Sequence, residues 1–169
     1  NPLKKQLDLL SLKYELPENL PPDEVDYIIY APNSSIKDFS VFTSLKAVLN
    51  LWAGVEDVVK NKTLQVPLAR MVDEGLTQGM KEWVLGHVMR HHLGTDLHVF
   101  GQDGQWRDWS APPLAKNRSV TVLGLGALGA QCAKTLSKIG FKVSGWSQSK
   151  KLIENVICYY GSDGLEKSL

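Results

Sequence analysis

The chain has 169 residues, 43% apolar and 22% charged, which fits one ordinary globular domain or two small ones and excludes a disordered chain. Lys and Arg number 19 against 18 Asp and Glu, for a net charge of +1 with no basic block, so neither a nucleic-acid nor a membrane-surface partner is expected. No apolar run has membrane-spanning length, and "NPLKKQLDLL" lacks the apolar centre of an export signal. Cys132 and Cys158 show neither a disulfide framework nor zinc spacing, and a reducing cytoplasm is the expected setting. Asn33, Asn61 and Asn117 head sequons, which without an export signal read as chance matches.

In chain order, residues 10–16 alternate, with Leu10, Leu12, Tyr14 and Leu16 on one side, and predict a strand with one face on a core. "PENLPPDE" breaks the chain. "DYIIYAP" and "LKAVLNL" are short, nearly continuous apolar runs, the pattern of strands covered on both faces, and "VPLARMV" is a weaker one. Short helical stretches are expected between them at 36–43 and 55–60. Strands alternating with helices predict a parallel α/β sheet. In "LTQGMKEWVLGHVMRHH", Met80, Trp83, Val84, His87, Val88 and His91 recur at three- and four-residue spacing, which predicts a long helix over 76–92. His87 and His91 share a face of that helix but have no third ligand, so no metal site is expected. Residues 93–117, rich in Gly, Pro and Asp, read as a linker between a first domain, 1–92, and a second, 118–169.

The second domain opens with "SVTVLGLGALGAQCAKTL". A buried strand runs into Gly124, Gly126 and Gly129, and Leu128, Cys132, Leu136 and Ile139 then form one apolar helical stripe. Gly140 ends that helix, "FKVSGW" is the next strand, and "NVICYY" and "DGLEKSL" follow as a brief strand and a helix-like close. G-x-G-x-x-G set between strand and helix is the dinucleotide-binding arrangement. The first glycine makes the tight turn, the second admits a pyrophosphate to the backbone, and the third lets helix and strand pack closely. The helix-end amides of 124–129, which include Leu125, Ala127 and Leu128, face the phosphates. NAD-binding versions carry an acidic residue at the end of the next strand, yet this sequence has none between Leu125 and Ile153. Ser147, Gln148, Ser149 and Lys150, followed by Lys151, offer hydroxyl, amide and cationic donors there, which suit the 2′-phosphate of NADP; NAD stays open as the second cofactor.

The blocks "LKAVLNLWAGVEDVV", "PLARMVDEGLTQGMKEWVLGHVMRHH", "VTVLGLGALGAQCAKTLSKIGFKVSGWSQSKK" and "CYYGSDGL" occur in that order. They resemble the D-isomer-specific 2-hydroxyacid dehydrogenases, most closely the glyoxylate/hydroxypyruvate reductase A branch, from about residue 10 to the end. The resemblance implies a flavodoxin-like substrate domain, here without its first strand, joined to the first part of a Rossmann domain. It also implies reduction of a small 2-keto acid by NADPH or NADH and a homodimer. Trp52, Ala53 and Gly54 match the loop whose amides hold the substrate carboxylate, although Gly is usual where Trp52 stands. Packing of Trp52 on the sheet remains the other reading. Met80 matches a position near the nicotinamide and equally fits core packing. Trp106 resembles the aromatic that a dimer loop lends to the partner's active site, or else anchors its own loop.

The catalytic Arg, carboxylate and His of that family lie beyond the second strand of the dinucleotide domain. This chain has no Arg after Arg118 and no His after His98. No catalytic residue is therefore assigned. The 169 residues are expected to be an inactive, marginally stable or aggregating fragment of a larger protein, an inference also prompted by Asn at position 1. The rival reading is a non-catalytic module that binds dinucleotide or a partner and regulates.

Overall fold

The apolar runs at the front of the chain pair with one another as β1 (Tyr27–Tyr30), β2 (Ala47–Asn50) and β3 (Leu68–Arg70), all parallel in the order β1-β2-β3. The computed structural model describes residues 2–15, 19–106 and 111–169, and the chain divides into two units, Asn1–Val72 and Asp73–Leu169. In the first unit, Ile28, Tyr30, Phe39, Val48 and Val58 form the buried centre, with the Tyr30 and Phe39 rings edge to face at 5.3 Å. Burial alternates along β1 and β2, and Tyr27 and Leu49 are exposed. Within this unit the strands are thus covered on one face, where their apolar composition predicts cover on both.

Three local expectations fail here. Residues 10–15 form no strand, and Leu16 lies outside the described residues. Helix α1 (Pro2–Leu9) precedes them, and the N–H groups of Leu10 and Leu12 turn back to the carbonyls of Gln6 and Leu7. Alternation marks a face, but a strand also needs a neighbour for its ladder. The stretch 36–43 is turns rather than helix. Asp38 accepts from both the N–H and the hydroxyl of Ser40, and Thr63 Oγ1 accepts the N–H of Phe39, so side chains take the groups that a helix requires. The stretch 55–60 makes turns, Val59 N–H to the Val55 carbonyl and Asn61 N–H to the Val58 carbonyl, without becoming a helix.

The long helix forms as α2 (Glu74–Leu93), capped by Asp73, whose carboxylate accepts the N–H of Leu76 at 2.9 Å. It groups with the second unit rather than with the first domain, where the sequence boundaries put it. The reason lies in its side chains: Val84, Leu85, Val88 and Met89 pack on the second unit's core. The linker stretch carries α3 (Thr95–Phe100) and a short 3-10 turn at Ala115–Asn117.

Next come β4 (Ser119–Leu123), α4 (Ala127–Ile139), β5 (Lys142–Ser147), β6 (Val156–Tyr160) and α5 (Gly161–Ser168), with the strands parallel in the order β4-β5-β6. Leu125, Ala133, Leu136, Phe141, Val143 and Ile153 make the core. Cys132 is buried as expected, which pushes its thiol pKa up, while Ile139 at the end of the predicted stripe is exposed. Helix α5 is tied down by hydrogen bonds from Trp146 Nε1 to the Gly161 carbonyl and from Thr121 Oγ1 to the Ser168 carbonyl.

Removing the α2 cap tests the unit boundary. Asp73→Ala is expected to destabilise the second unit by about 1 kcal/mol. The check is a urea titration that follows α2 and β1 separately by amide signals, with β1 unmoved.

Candidate anion-binding sites

Each of two parallel strands delivers a loop of main-chain donors at its C-terminal end. In the second unit, β4 stops because the N–H groups of Gly124 and Leu125 both turn onto the Trp146 carbonyl of β5, at 2.8 and 3.0 Å. Gly124 takes φ +108°, which a side chain disfavours. Leu125 then points inward and is 2% exposed, so its predicted place beside a cofactor becomes a place in the core. Its N–H is spent as well. This is a correction in role: Leu125 anchors the turn.

Helix α4 starts at once, with Gly126 as its N-cap and no side-chain cap. The first bond into the helix is Ala130 N–H to the Gly126 carbonyl at 3.0 Å. The N–H groups of Gly126, Ala127, Leu128 and Gly129 therefore have no partner among the described residues. A Cβ built on Gly126 meets no atom within 4 Å, so the main chain is open at that position; one on Gly129 overlaps the Gly124 carbonyl oxygen. Gly129 thus serves close packing, and at Gly126 the main chain is left accessible to an anion. The residues present fit a diphosphate.

Ser147 ends β5, buried, with its hydroxyl donating to the Ser149 carbonyl at 2.7 Å. That bond shapes the bend carrying Gln148, Ser149 and Lys150, all exposed. Gln148, Ser149 and Lys150 remain free to meet an anion; Ser147 acts through the bend rather than by its own hydroxyl proton. Among the described residues there is no cluster of three His, Cys, Asp or Glu placed to hold a metal.

In the first unit, β2 ends at Asn50, and the loop 51–54 follows. Trp52 is 49% exposed, so it does not pack as a core residue of this unit. Asn50 is buried, and its Nδ2 donates to the carbonyls of Trp52 and Gly54 at 2.6 and 3.1 Å. The N–H groups of Trp52, Ala53 and Gly54 have no partner among the described residues.

Met80 lies on the outer side of α2 and lines a shallow hollow of about 430 Å³ with Gly75, Leu76, Gly79 and Trp83, while Trp83 stacks on His87 at 4.2 Å. Trp106 is 95% exposed, which removes the loop-anchor reading within this chain. The structure therefore gathers 52–54 in one unit, and 124–129 with 147–150 in the other. Sequence reading missed Asn50, Gly145 and Trp146. Asn50 was visible as the one amide closing the apolar run "AVLN". Gly145 carried no signal: its role is that a Cβ there would press on the Leu125 side chain at 2.5 Å.

No sequence-family model matches the chain. Glyoxylate/hydroxypyruvate reductase A of Serratia proteamaculans is 35% identical over 127 residues, 70% of this chain and 40% of that protein. The protein of the same name from Photorhabdus laumondii is 36% identical over 132 residues, 73% of this chain and 42% of its own. A D-isomer-specific 2-hydroxyacid dehydrogenase of Xanthobacter autotrophicus Py2, solved with NADPH and MES, superposes with a TM-score of 0.79 at 37% identity, covering 88% of this chain and 47% of that one. The NADPH-dependent glyoxylate/hydroxypyruvate reductase of Sinorhizobium meliloti, solved with NADP and sulfate, gives 0.78 at 33% identity, covering all of this chain and 56% of that one. The chain is a relative of the D-isomer-specific 2-hydroxyacid dehydrogenases. It spans about two fifths of the two curated reductases and about half of these solved 2-hydroxyacid dehydrogenase chains. The α/β architecture with parallel strands, expected from the sequence, agrees with these relatives.

The glycines give a paired test. Gly126→Ala is expected to leave the melting temperature within about 1 °C of the parent, since its methyl meets only open space. It should weaken binding of NADP+ by at least about tenfold, that is about 1.4 kcal/mol. Gly129→Ala must move backbone and is expected to cost about 2–3 kcal/mol of stability. Calorimetric melts and titrations of both variants check the split.

Proposed function

We propose that these residues supply the carboxylate loop and the dinucleotide turn of an NADP-preferring reductase of a small 2-keto acid of the glyoxylate or hydroxypyruvate type. The observation that carries the reading is the open space at Gly126, the first of four amides with no partner among the described residues. In it, the N–H groups of 126–129 bind the diphosphate, with the positive end of the α4 dipole behind them. Ser149, Gln148 and Lys150 receive the 2′-phosphate, held in place by the Ser147 bond to the Ser149 carbonyl. The amides of loop 52–54 hold the substrate carboxylate, and Met80 borders the nicotinamide. When bound, the reduced nicotinamide supplies the hydride.

Proton delivery and carbonyl polarisation need a His and an Arg, which in the resembled family lie further along the chain. With no His after His98 and no Arg after Arg118, these residues serve binding rather than proton delivery or carbonyl polarisation. A homodimer in the cytoplasm completes the proposal. Exposed Trp106 and the apolar outer face of α2 around Met80 and Trp83 support a second copy as the neighbour. No described helix is long and apolar enough to cross a membrane.

Quenching of tryptophan fluorescence by NADPH and by NADH tests the assignment. NADPH is expected to bind at least about tenfold tighter, with Lys150→Ala closing most of the gap. Tighter NADH binding overturns the 2′-phosphate assignment. Adding glyoxylate to the chain with NADPH is expected to leave the cofactor reduced.

A further inference from the structure

We propose that Asn50 is the positioning residue of the 52–54 loop: by holding the Trp52 and Gly54 carbonyls on one buried nitrogen, it aims the N–H groups of Ala53 and Val55 outward as a paired grip for a carboxylate. The inference rests on the reading of this loop as the carboxylate site and adds to it both the residue that sets the loop and Val55 as a donor.

The geometry is economical. Asn50 is 4% exposed and closes β2, whose other buried residue is Val48. Both protons on its Nδ2 are committed, at 2.6 Å to the Trp52 carbonyl and 3.1 Å to that of Gly54. Two carbonyls facing one amide fix its orientation, because the reverse placement would set oxygen against oxygen. No cis peptide occurs here, so each carbonyl and the N–H that follows it point opposite ways across one plane. Drawing the Trp52 carbonyl inward turns the Ala53 N–H outward, and drawing in the Gly54 carbonyl does the same for Val55. Neither N–H has a partner among the described residues.

A second observation separates this from ordinary packing. Asn50 Oδ1 is buried with no hydrogen-bond partner. An unsatisfied acceptor is costly in a core, and an apolar side chain of similar volume, such as Leu, would fill the place without it. Leu would also leave the Trp52 and Gly54 carbonyls without that donor, so the amide serves the two inward carbonyls at the cost of one unpaired acceptor. Loop amides held in advance are worth more to an anion than amides ordered on binding.

The test is a titration of the 169-residue chain with oxalate, as a probe for the 2-keto carboxylate, followed by backbone and side-chain amide signals at constant ionic strength. Expected are saturable shifts at Ala53 and Val55, and slow solvent exchange of the Asn50 side-chain pair. Asn50→Leu, which keeps the volume, and Asn50→Asp, which keeps the shape but loses the donors, should each weaken oxalate at least about tenfold while NADP+ shifts at 126–128 persist. The N–H directions of Ala53 and Val55, read from residual dipolar couplings, should change in both variants while those of Ile28 and Val48 hold. Unchanged oxalate affinity in Asn50→Leu overturns the positioning role and leaves the carboxylate reading standing. Absence of oxalate shifts at Ala53 and Val55 in the parent overturns both, with NADP+ binding in the same sample judging the cofactor reading separately. Should both variants lose the dispersed signals of the first unit, the parent's Asn50 pair decides. Protection that rises with oxalate supports the proposal, and exchange as fast as that of an exposed side-chain amide defeats it.

Discussion

The Trp146 carbonyl accepts two main-chain N–H groups, from Gly124 and Leu125, and the glycine turn of the second unit follows from that pair of hydrogen bonds. It ends β4, folds the chain over β5 and imposes the positive φ of Gly124. It also drives Leu125 into the core above Gly145, where a side chain would be in the way. With those two amides spent, the next four are left without a partner among the described residues as α4 begins, and the first of them, at Gly126, has open space beside it. The same Trp146 sends its indole N–H to the Gly161 carbonyl, so one residue ties the turn on one side of the sheet to α5 on the other.

Much of this was legible from residue spacing. Gly-x-Gly-x-x-Gly between a β-branched run and an Ala-rich run specifies its own geometry, because each glycine answers a separate steric demand. The three apolar runs at the front became β1 to β3 because short apolar runs between turn residues have few other stable arrangements. The errors fell where pattern underdetermines partners. The alternation over 10–15 names a face without supplying a neighbour, and Asp38 and Thr63 carry hydrogen-bond competition that hydrophobic periodicity does not register. The role of Leu125 was unreadable because inward and outward residues look alike within a glycine turn. Asn50 was hidden among apolar neighbours, although a lone amide at a buried strand end is itself a signal.

The division at Val72 and Asp73 has a simple cause. Helix α2 has apolar residues on two sides; Val84, Leu85, Val88 and Met89 commit one of them to the core with α4, while Met80 and Trp83 stay on the other. Periodicity finds such a helix but does not say which side finds a home. Burial does, and it places the helix with the later strands.

Both candidate sites present main-chain donors at their centres and side chains at their rims. Peptide hydrogens sense negative charge and its spacing and little else about the molecule that carries it. Discrimination between one acid and another, or one coenzyme and another, then falls to the few side chains at the rim, Trp52 on one loop and Lys150 on the other. A change at the half-exposed indole of Trp52 therefore alters what can reach the peptide hydrogens of its loop without altering the hydrogens themselves.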